Sequence, residues 1–342
     1  MRDLLTDIHS WQRDGDPVAL ATVIRTWRSA PRESGAAMAV TRGLRFSGSV
    51  SGGCVENAVV SEADGVLRDG RPRLLRFGVD DETAWSVGLS CGGSIEVWVE
   101  RLPASGKDSW WSAAADALAA DKGGVLARRI DPERPEYHLL ESDGADAATA
   151  NLPADALRRS WRHREAAIAE WAGDTWFLLP LPPRRRLIII GATHLAAALL
   201  PHAAALGYHT TVIDPRPAFA RAERFPVAPD VLASTAPADA LADIPITEET
   251  HAVLLSHNRE IDDPALLALL ASPAGYIGAL GSRRTHASRM DRLREAGIPE
   301  ADIKRIHGPV GLAIGARTPA EIAVSIAAEL VATRRMAGRE TR

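Results

Sequence analysis

One continuous apolar run, Arg186-Leu187-Ile188-Ile189-Ile190-Gly191, constrains this chain more than any other stretch. A strand with one wet face alternates apolar and polar side chains. An unbroken apolar run needs cover on both faces, which points to a parallel sheet flanked by helices. The residues that follow agree. A helical pattern covers about Leu195 to Leu206 and is closed by Gly207. Thr210 to Asp214 reads as a second strand, and Ala252 to Ser256 and Tyr276 to Leu280 as further ones, with helices between and after. This alternation predicts a Rossmann-like, doubly wound parallel sheet over 181–342. Its last helix has a clear start, with Thr318 as N-cap, Pro319 first and Glu321 completing a capping box.

Upstream the pattern is different. Pro180-Leu181-Pro182-Pro183 reads as a linker, so residues 1–180 are expected to form a separate α+β domain. A helix is expected over 3–13, a β-rich run from Val18 to Trp27, and short strands at 36–40 and 44–46 around Thr41-Arg42-Gly43. Val55, Val59, Ala63 and Val66 recur at helical spacing up to Asp69-Gly70. Arg73 to Phe77 is strand-like. Ile95, Val97 and Val99 alternate with Glu96, Trp98 and Glu100, as in a half-buried strand. Residues 109–120 read as an Ala-rich helix, and strands are expected at 124–130, 137–140 and 175–179. The polar, Ala-rich stretch 143–170 carries no clear pattern.

Composition narrows the function classes. Charged residues make up 25% and the net charge is −4, against a nucleic-acid role, which needs a concentrated basic face. Arg184-Arg185-Arg186 is short and leads straight into the apolar strand. No apolar run reaches the ~18–20 residues of a membrane span. The start, Met1-Arg2-Asp3-Leu4-Leu5-Thr6-Asp7, is acidic and amphipathic rather than signal-like. Two cysteines in 342 residues form no disulfide framework, so a reducing, cytoplasmic setting is expected.

Both cysteines sit among glycines: Ser51-Gly52-Gly53-Cys54-Val55-Glu56, and Leu89-Ser90-Cys91-Gly92-Gly93. Glycine pairs allow sharp turns and close approach to a ligand. Cys54 falls where a helix begins, so Ser51, Gly52 and Gly53 would bring backbone N–H groups and a helix dipole to one point, suited to an anion, a phosphate or a thiolate. Lowering a thiol from about 8.5 to about 7 needs only ~2 kcal/mol and makes it half thiolate. Such a thiolate could ligate a soft metal or carry sulfur. The plainer alternative is a tight turn that happens to hold a small residue, and it weighs more for Cys91, at a strand entrance. Neither cysteine stands in a zinc-type spacing.

A second constellation belongs to the parallel sheet. Gly191-Ala192-Thr193-His194 follows a strand and opens a helix, and Asp214 ends the next strand, where a ribose-binding acid stands in a dinucleotide fold. Thr193 occupies the place of the second glycine and obstructs approach by a pyrophosphate, which weakens the NAD(P) reading. His194 either contacts a ligand or caps the site. His257, Ser282, Arg283 and Arg317 lie on loops that this fold gathers at the carboxyl ends of its strands. An oxidoreductase using NAD(P) there is one functional class. A thiol redox sensor pairing Cys54 with Cys91 is another.

Taken together, Gly48-Ser49-Val50-Ser51-Gly52-Gly53-Cys54-Val55-Glu56, Gly88-Leu89-Ser90-Cys91-Gly92-Gly93, Tyr276-Ile277-Gly278-Ala279-Leu280-Gly281-Ser282-Arg283-Arg284-Thr285 and Gly315-Ala316-Arg317-Thr318-Pro319 resemble the XdhC/CoxI family of xanthine dehydrogenase accessory proteins. Ala30-Pro31-Arg32 and Asp214-Pro215-Arg216 resemble it too. The resemblance implies a chaperone that binds the molybdenum cofactor (molybdopterin); the sequence does not settle its oligomeric state, and a homodimer with loops facing across an interface is compatible with it. Such a chaperone would support sulfuration with a cysteine desulfurase, and insertion into a molybdenum hydroxylase apoenzyme such as xanthine dehydrogenase or CO dehydrogenase. Soft thiolate chemistry agrees with that role, and the expectation is that Cys54 contacts or protects molybdenum or receives a persulfide, while Cys91 assists. The chain departs from the family pattern at Thr193, commonly Gly, and at Ala313, commonly Asp. Both departures touch the C-terminal loops and leave the Cys54 loop intact.

Overall fold

The computed structural model describes residues 1–28, 30, 32–78, 93–104, 106, 109–141 and 152–337. The chain divides into two compact units, Met1–Pro183 and Arg184–Arg342.

The first unit begins with α1 (Leu5–Arg13), preceded by a short 3-10 turn. A five-stranded antiparallel sheet follows, built from β1 (Val18–Trp27), β2 (Ala37–Thr41), β3 (Phe46–Gly48), β4 (Arg73–Phe77) and β5 (Ser94–Arg101). Its order is β3-β2-β1-β5-β4, with α2 (Glu56–Asp69) joining β3 to β4. After α3 (Trp110–Ala119) come β6 (Gly124–Arg129), β7 (Tyr137–Leu140), α4 (Ala154–His163), β8 (Ala167–Trp171) and β9 (Asp174–Leu181), whose strands form a second sheet in the order β7-β6-β9-β8.

Alternation along β1 explains the layering. Ala19, Ala21 and Val23 pack with Val97 and Val99 under Val59, Ala63 and Val66 of α2. Val18, Leu20 and Ile24, together with Trp98 of β5, pack with Leu126, Phe177 and Leu179 of the second sheet. The other face of that sheet, Val125, Ala127 and Leu178, is covered by Leu157 of α4. Hence β5 is covered on both faces rather than half-buried as its alternation predicts. Trp98 and Glu100 face inward too, and Glu100 is paired with the fully buried Arg128 at 2.7 Å and accepts a hydrogen bond from Tyr137 at 2.5 Å.

The proline segment also differs from expectation. Pro180 and Leu181 belong to β9, opposite Val125 and Gly124. A proline lacks the N–H that a central strand requires. It is tolerated here because β8 pairs only with residues 174–178, so one side of β9 is unpaired at Pro180. The stretch without a sequence pattern contains α4 and β8, with residues 142–151 outside the described set.

The second unit has the predicted doubly wound sheet. Its strands are β10 (Arg186–Ile190), β11 (His209–Ile213), β12 (Val231–Ala233), β13 (Thr250–Leu254), β14 (Tyr276–Ala279) and β15 (Ile306–His307). All neighbours are parallel, in the order β12-β11-β10-β13-β14-β15, so the direction of winding reverses between β10 and β13. The helices are α5 (His194–Ala205), α6 (Pro237–Ala242), α7 (Arg259–Leu270), α8 (Arg283–Glu295), α9 (Glu300–Ile303) and α10 (Pro319–Ala337). Ile188 and Ile190 face α7, while Leu187 and Ile189 face α5 and α10. The capping box at α10 is present: Glu321 accepts from the Thr318 amide at 3.0 Å, and the Thr318 hydroxyl accepts from the Glu321 amide at 3.3 Å.

Candidate functional site

Two places carry the chemistry singled out in the sequence. They lie on different units, and each stands by itself.

The first is the loop from Ser49 to Val55, between β3 and α2. Gly52 and Gly53 have φ of +81° and +117°. An added Cβ would meet nothing within 4 Å at either position, so glycine serves backbone conformation here, not space. Successive amides of a turn that point to one place make an anion-binding concavity. That point is occupied by the chain itself. Glu56 Oε1 accepts from the Ser49 hydroxyl at 2.7 Å and from the amides of Val50, Ser51 and Gly52 at 3.2, 2.9 and 3.0 Å. Its Oε2 accepts from the Ser51 hydroxyl at 2.5 Å and the Gly53 amide at 2.8 Å. Burial alone would push this carboxyl up. The hydroxyls of Ser51 and Ser49 and the backbone amides outweigh burial and hold it at about 2.

This geometry corrects one expectation. The amides of Ser51, Gly52 and Gly53 do converge as an anion site, but they are given to Glu56 rather than offered to a phosphate. In the sequence Glu56 stands out only as part of a family motif. An acid three residues beyond a glycine pair, at a helix start, is the signal that marks it. Cys54 stands between the nest and the helix, partly buried against the cluster that includes Val50, Val55 and Val59. Gly93 is buried at the entrance to β5, and Cys91 and Gly92 lie outside the described residues.

The second place is the carboxyl edge of the parallel sheet. Gly191, at φ +101°, packs against β13's end, where an added Cβ would sit 2.7 Å from the Ser256 backbone. Thr193 is the N-cap of α5, its hydroxyl accepting from the Ala196 amide at 3.3 Å. The residue that departs from the glycine pattern thus caps the helix that a phosphate would approach. His194 is the exposed first residue of α5.

Asp214 is fully buried and committed. It accepts from the Ala192 amide at 2.8 Å, from the Arg216 amide at 3.0 Å, and from Nε and Nη2 of the Arg216 guanidinium at 2.8 and 2.7 Å. Burial would raise its carboxyl, but Arg216 and the backbone donors hold it below the usual range. Both oxygens are spent on fixing the Gly191 loop, so the expected ribose contact is not available to Asp214. Phe219 reinforces the arrangement, with the guanidiniums of Arg216 and Arg224 over its ring at 3.8 and 4.8 Å.

A cavity of about 420 Å³ opens where α5, α8 and α10 begin, lined by Leu195, His257, Leu280, Gly281, Ser282, Thr285, Pro319 and Ile322. The structure brings two predicted residues, His257 and Ser282, to one cavity. His257 is held at φ +58°, unusual for a side-chain-bearing residue. Ser282 caps α8, accepting from the Thr285 amide at 3.1 Å. Arg283 and Arg317 are exposed outside the lining, and the Arg317 amide donates to Glu321 at 2.8 Å. Among the described residues no cluster of His, Cys, Asp and Glu could hold a metal ion, and no helix is long and apolar enough to cross a membrane.

Known proteins share this architecture. The family model of the XdhC Rossmann domain matches residues 187–330, and that of the XdhC and CoxI family matches residues 11–78. A protein of Bacillus subtilis, named as a probable xanthine dehydrogenase subunit, is 29% identical over 337 residues, covering 98% of either chain. "Molybdenum cofactor insertion chaperone PaoD" of Escherichia coli is 29% identical over 321 residues, 94% of this chain and 84% of that one. A crystal structure described as a xanthine dehydrogenase from Bacillus halodurans matches with a TM-score of 0.76 at 25% identity, covering 97% of this chain and 96% of that one.

Proposed function

The chain belongs to the XdhC and CoxI family, and we propose that it carries the molybdenum cofactor as cargo, supports its sulfuration and passes it to a molybdenum hydroxylase apoenzyme. The name of the Escherichia coli relative supports the insertion role, and that of the Bacillus subtilis relative points to a xanthine dehydrogenase as the kind of recipient. The observation that carries the reading is Cys54 itself. It is a soft donor, partly accessible, on a loop whose Ser51, Gly52 and Gly53 amides already donate to Glu56. Thiolate sulfur suits a soft metal centre such as molybdenum bound by dithiolene sulfur.

In this reading Cys54 contacts the molybdenum or holds the incoming sulfur, which a cysteine desulfurase supplies. Cys91 assists, and the carrier works as a homodimer in the cytoplasm. In the second unit, His257 and Ser282 line a cavity of their own and are separate candidates for contact with an anionic ligand there. The NAD(P) reading draws no support from Asp214, whose oxygens are spent within the chain.

Delivery tests the proposal. Wild type and Cys54→Ala, each preincubated anaerobically with molybdenum cofactor, a cysteine desulfurase and L-cysteine as sulfur donor, are mixed with apo-xanthine dehydrogenase, and urate formation from xanthine is followed. Wild type is expected to activate the recipient at least about tenfold better than the variant, equivalent to ~1.4 kcal/mol. Equal activation by the variant would sink the role given to Cys54.

A further inference from the structure

We propose that the Cys54 loop is an anion site filled from within: Glu56 stands where an external phosphate or oxyanion would bind, and thereby positions Cys54. Six hydrogen bonds from six neutral donors converge on one carboxylate, two from hydroxyls and four from consecutive amides, Val50 to Gly53. Two further bonds tie the hydroxyls back into the loop. The Ser49 hydroxyl accepts from the Gly52 amide at 2.9 Å, and the Ser51 hydroxyl from the Val55 amide at 3.0 Å. Every backbone N–H from Val50 to Gly53 thus donates to the carboxylate, that of Gly52 being shared with the Ser49 hydroxyl.

Space does not require glycine at 52 or 53, since a methyl group added at either position would meet only empty surroundings, so their positive φ serves to aim amides. Glu56 is also the first residue of a 14-residue helix, where negative charge is favoured. An anion at this position is therefore stabilised from both sides, and it is covalently supplied. An external anion finds the nest closed. Two consequences follow for Cys54, two residues before Glu56: its backbone is fixed by donors on its N-terminal side and by α2 on the other, and a fixed negative charge stands nearby. Glu56 is a positioning residue in this scheme. The purpose of the thiol rests on the function proposed above, whereas the filled nest does not.

The test reads the thiol without cargo. Carbamidomethylation of Cys54 by iodoacetamide is timed by peptide mass spectrometry in wild type, Glu56→Ala, and Glu56→Ala with excess sodium formate, against sodium chloride at equal ionic strength. Removing the carboxylate is expected to free the loop and raise the alkylation rate severalfold. Formate, a carboxylate small enough to enter the vacated nest, is expected to bring the rate back toward wild type while chloride does not. A wild-type rate in Glu56→Ala, or a raised rate that formate leaves unchanged, would overturn the proposal. Should Glu56→Ala fail to fold, Ser49→Ala decides: it keeps the carboxylate and removes one donor, and a rate equal to wild type would again overturn it. Because no molybdenum enters this experiment, its failure is separable from failure of the delivery assay.

Discussion

Glu56 does more for the first unit than its single charge suggests. Its folded carboxyl lies at about 2, below the ordinary 4.5. A depressed carboxyl stabilises the folded state fully above the unfolded value, and the stabilisation is lost as pH falls through the folded one. The window is therefore pH 4.5 down to about 2. At ~1.4 kcal/mol per unit, with allowance for solvent screening, the contribution is about 2–3 kcal/mol. All nine tryptophans precede Pro183, so indole fluorescence follows this unit alone. Urea unfolding of wild type is expected to lose about that much stability across the window, and Glu56→Gln to lose clearly less. Parallel loss in both would contradict the role assigned to the carboxylate. Two residues show what a sequence conceals. Glu56 and Asp214 are both acids at loop ends, and both are spent on the chain's own amides rather than on a ligand. Their partners, Ser49, Ser51 and Arg216, are within seven residues, yet nothing in composition distinguishes a satisfied acid from an available one.

Elements were legible where burial is two-sided and the run is apolar, as in β10. They were illegible where local pattern and tertiary cover disagree. β5 alternates like a half-wet strand, but the second sheet covers the side that carries Trp98 and Glu100. α4 and β8 come from a polar, Ala-rich stretch in which few apolar side chains mark a face. Pro180 hid the end of β9 because its tolerance depends on how far β8 extends. The β10–α5 junction offers a quantitative check. Gly191→Ala places a methyl 2.7 Å from the Ser256 backbone at φ +101°. The combined overpacking and backbone strain should cost the second unit about 2–4 kcal/mol. Gly207→Ala, at φ +76° with nothing within 4 Å, should cost only about 1 kcal/mol. Scanning calorimetry compares the two, and equal losses would show that the close approach to Ser256 is not what fixes Gly191.

In the whole molecule, the division into an α+β unit and a doubly wound unit was readable from the change in hydrophobic pattern. Among the described residues the buried clusters respect it: three are confined to residues before Pro183 and two to residues after Arg184. The candidate site was legible only in part. The glycine-flanked thiol and the loops at the sheet's carboxyl edge stood out by spacing. The internal anion and the cavity shared by His257 and Ser282 depend on contacts between elements far apart in sequence, or on side-chain direction, which spacing does not encode. Whether this molecule holds the molybdenum cofactor through Cys54 is measured by anaerobic incubation with the cofactor, then gel filtration and analysis of molybdenum and pterin in the protein peak. Wild type should retain both in fixed proportion and Cys54→Ala should lose most of each. Retention by Cys54→Ala equal to wild type would contradict the carrier role given to that thiol.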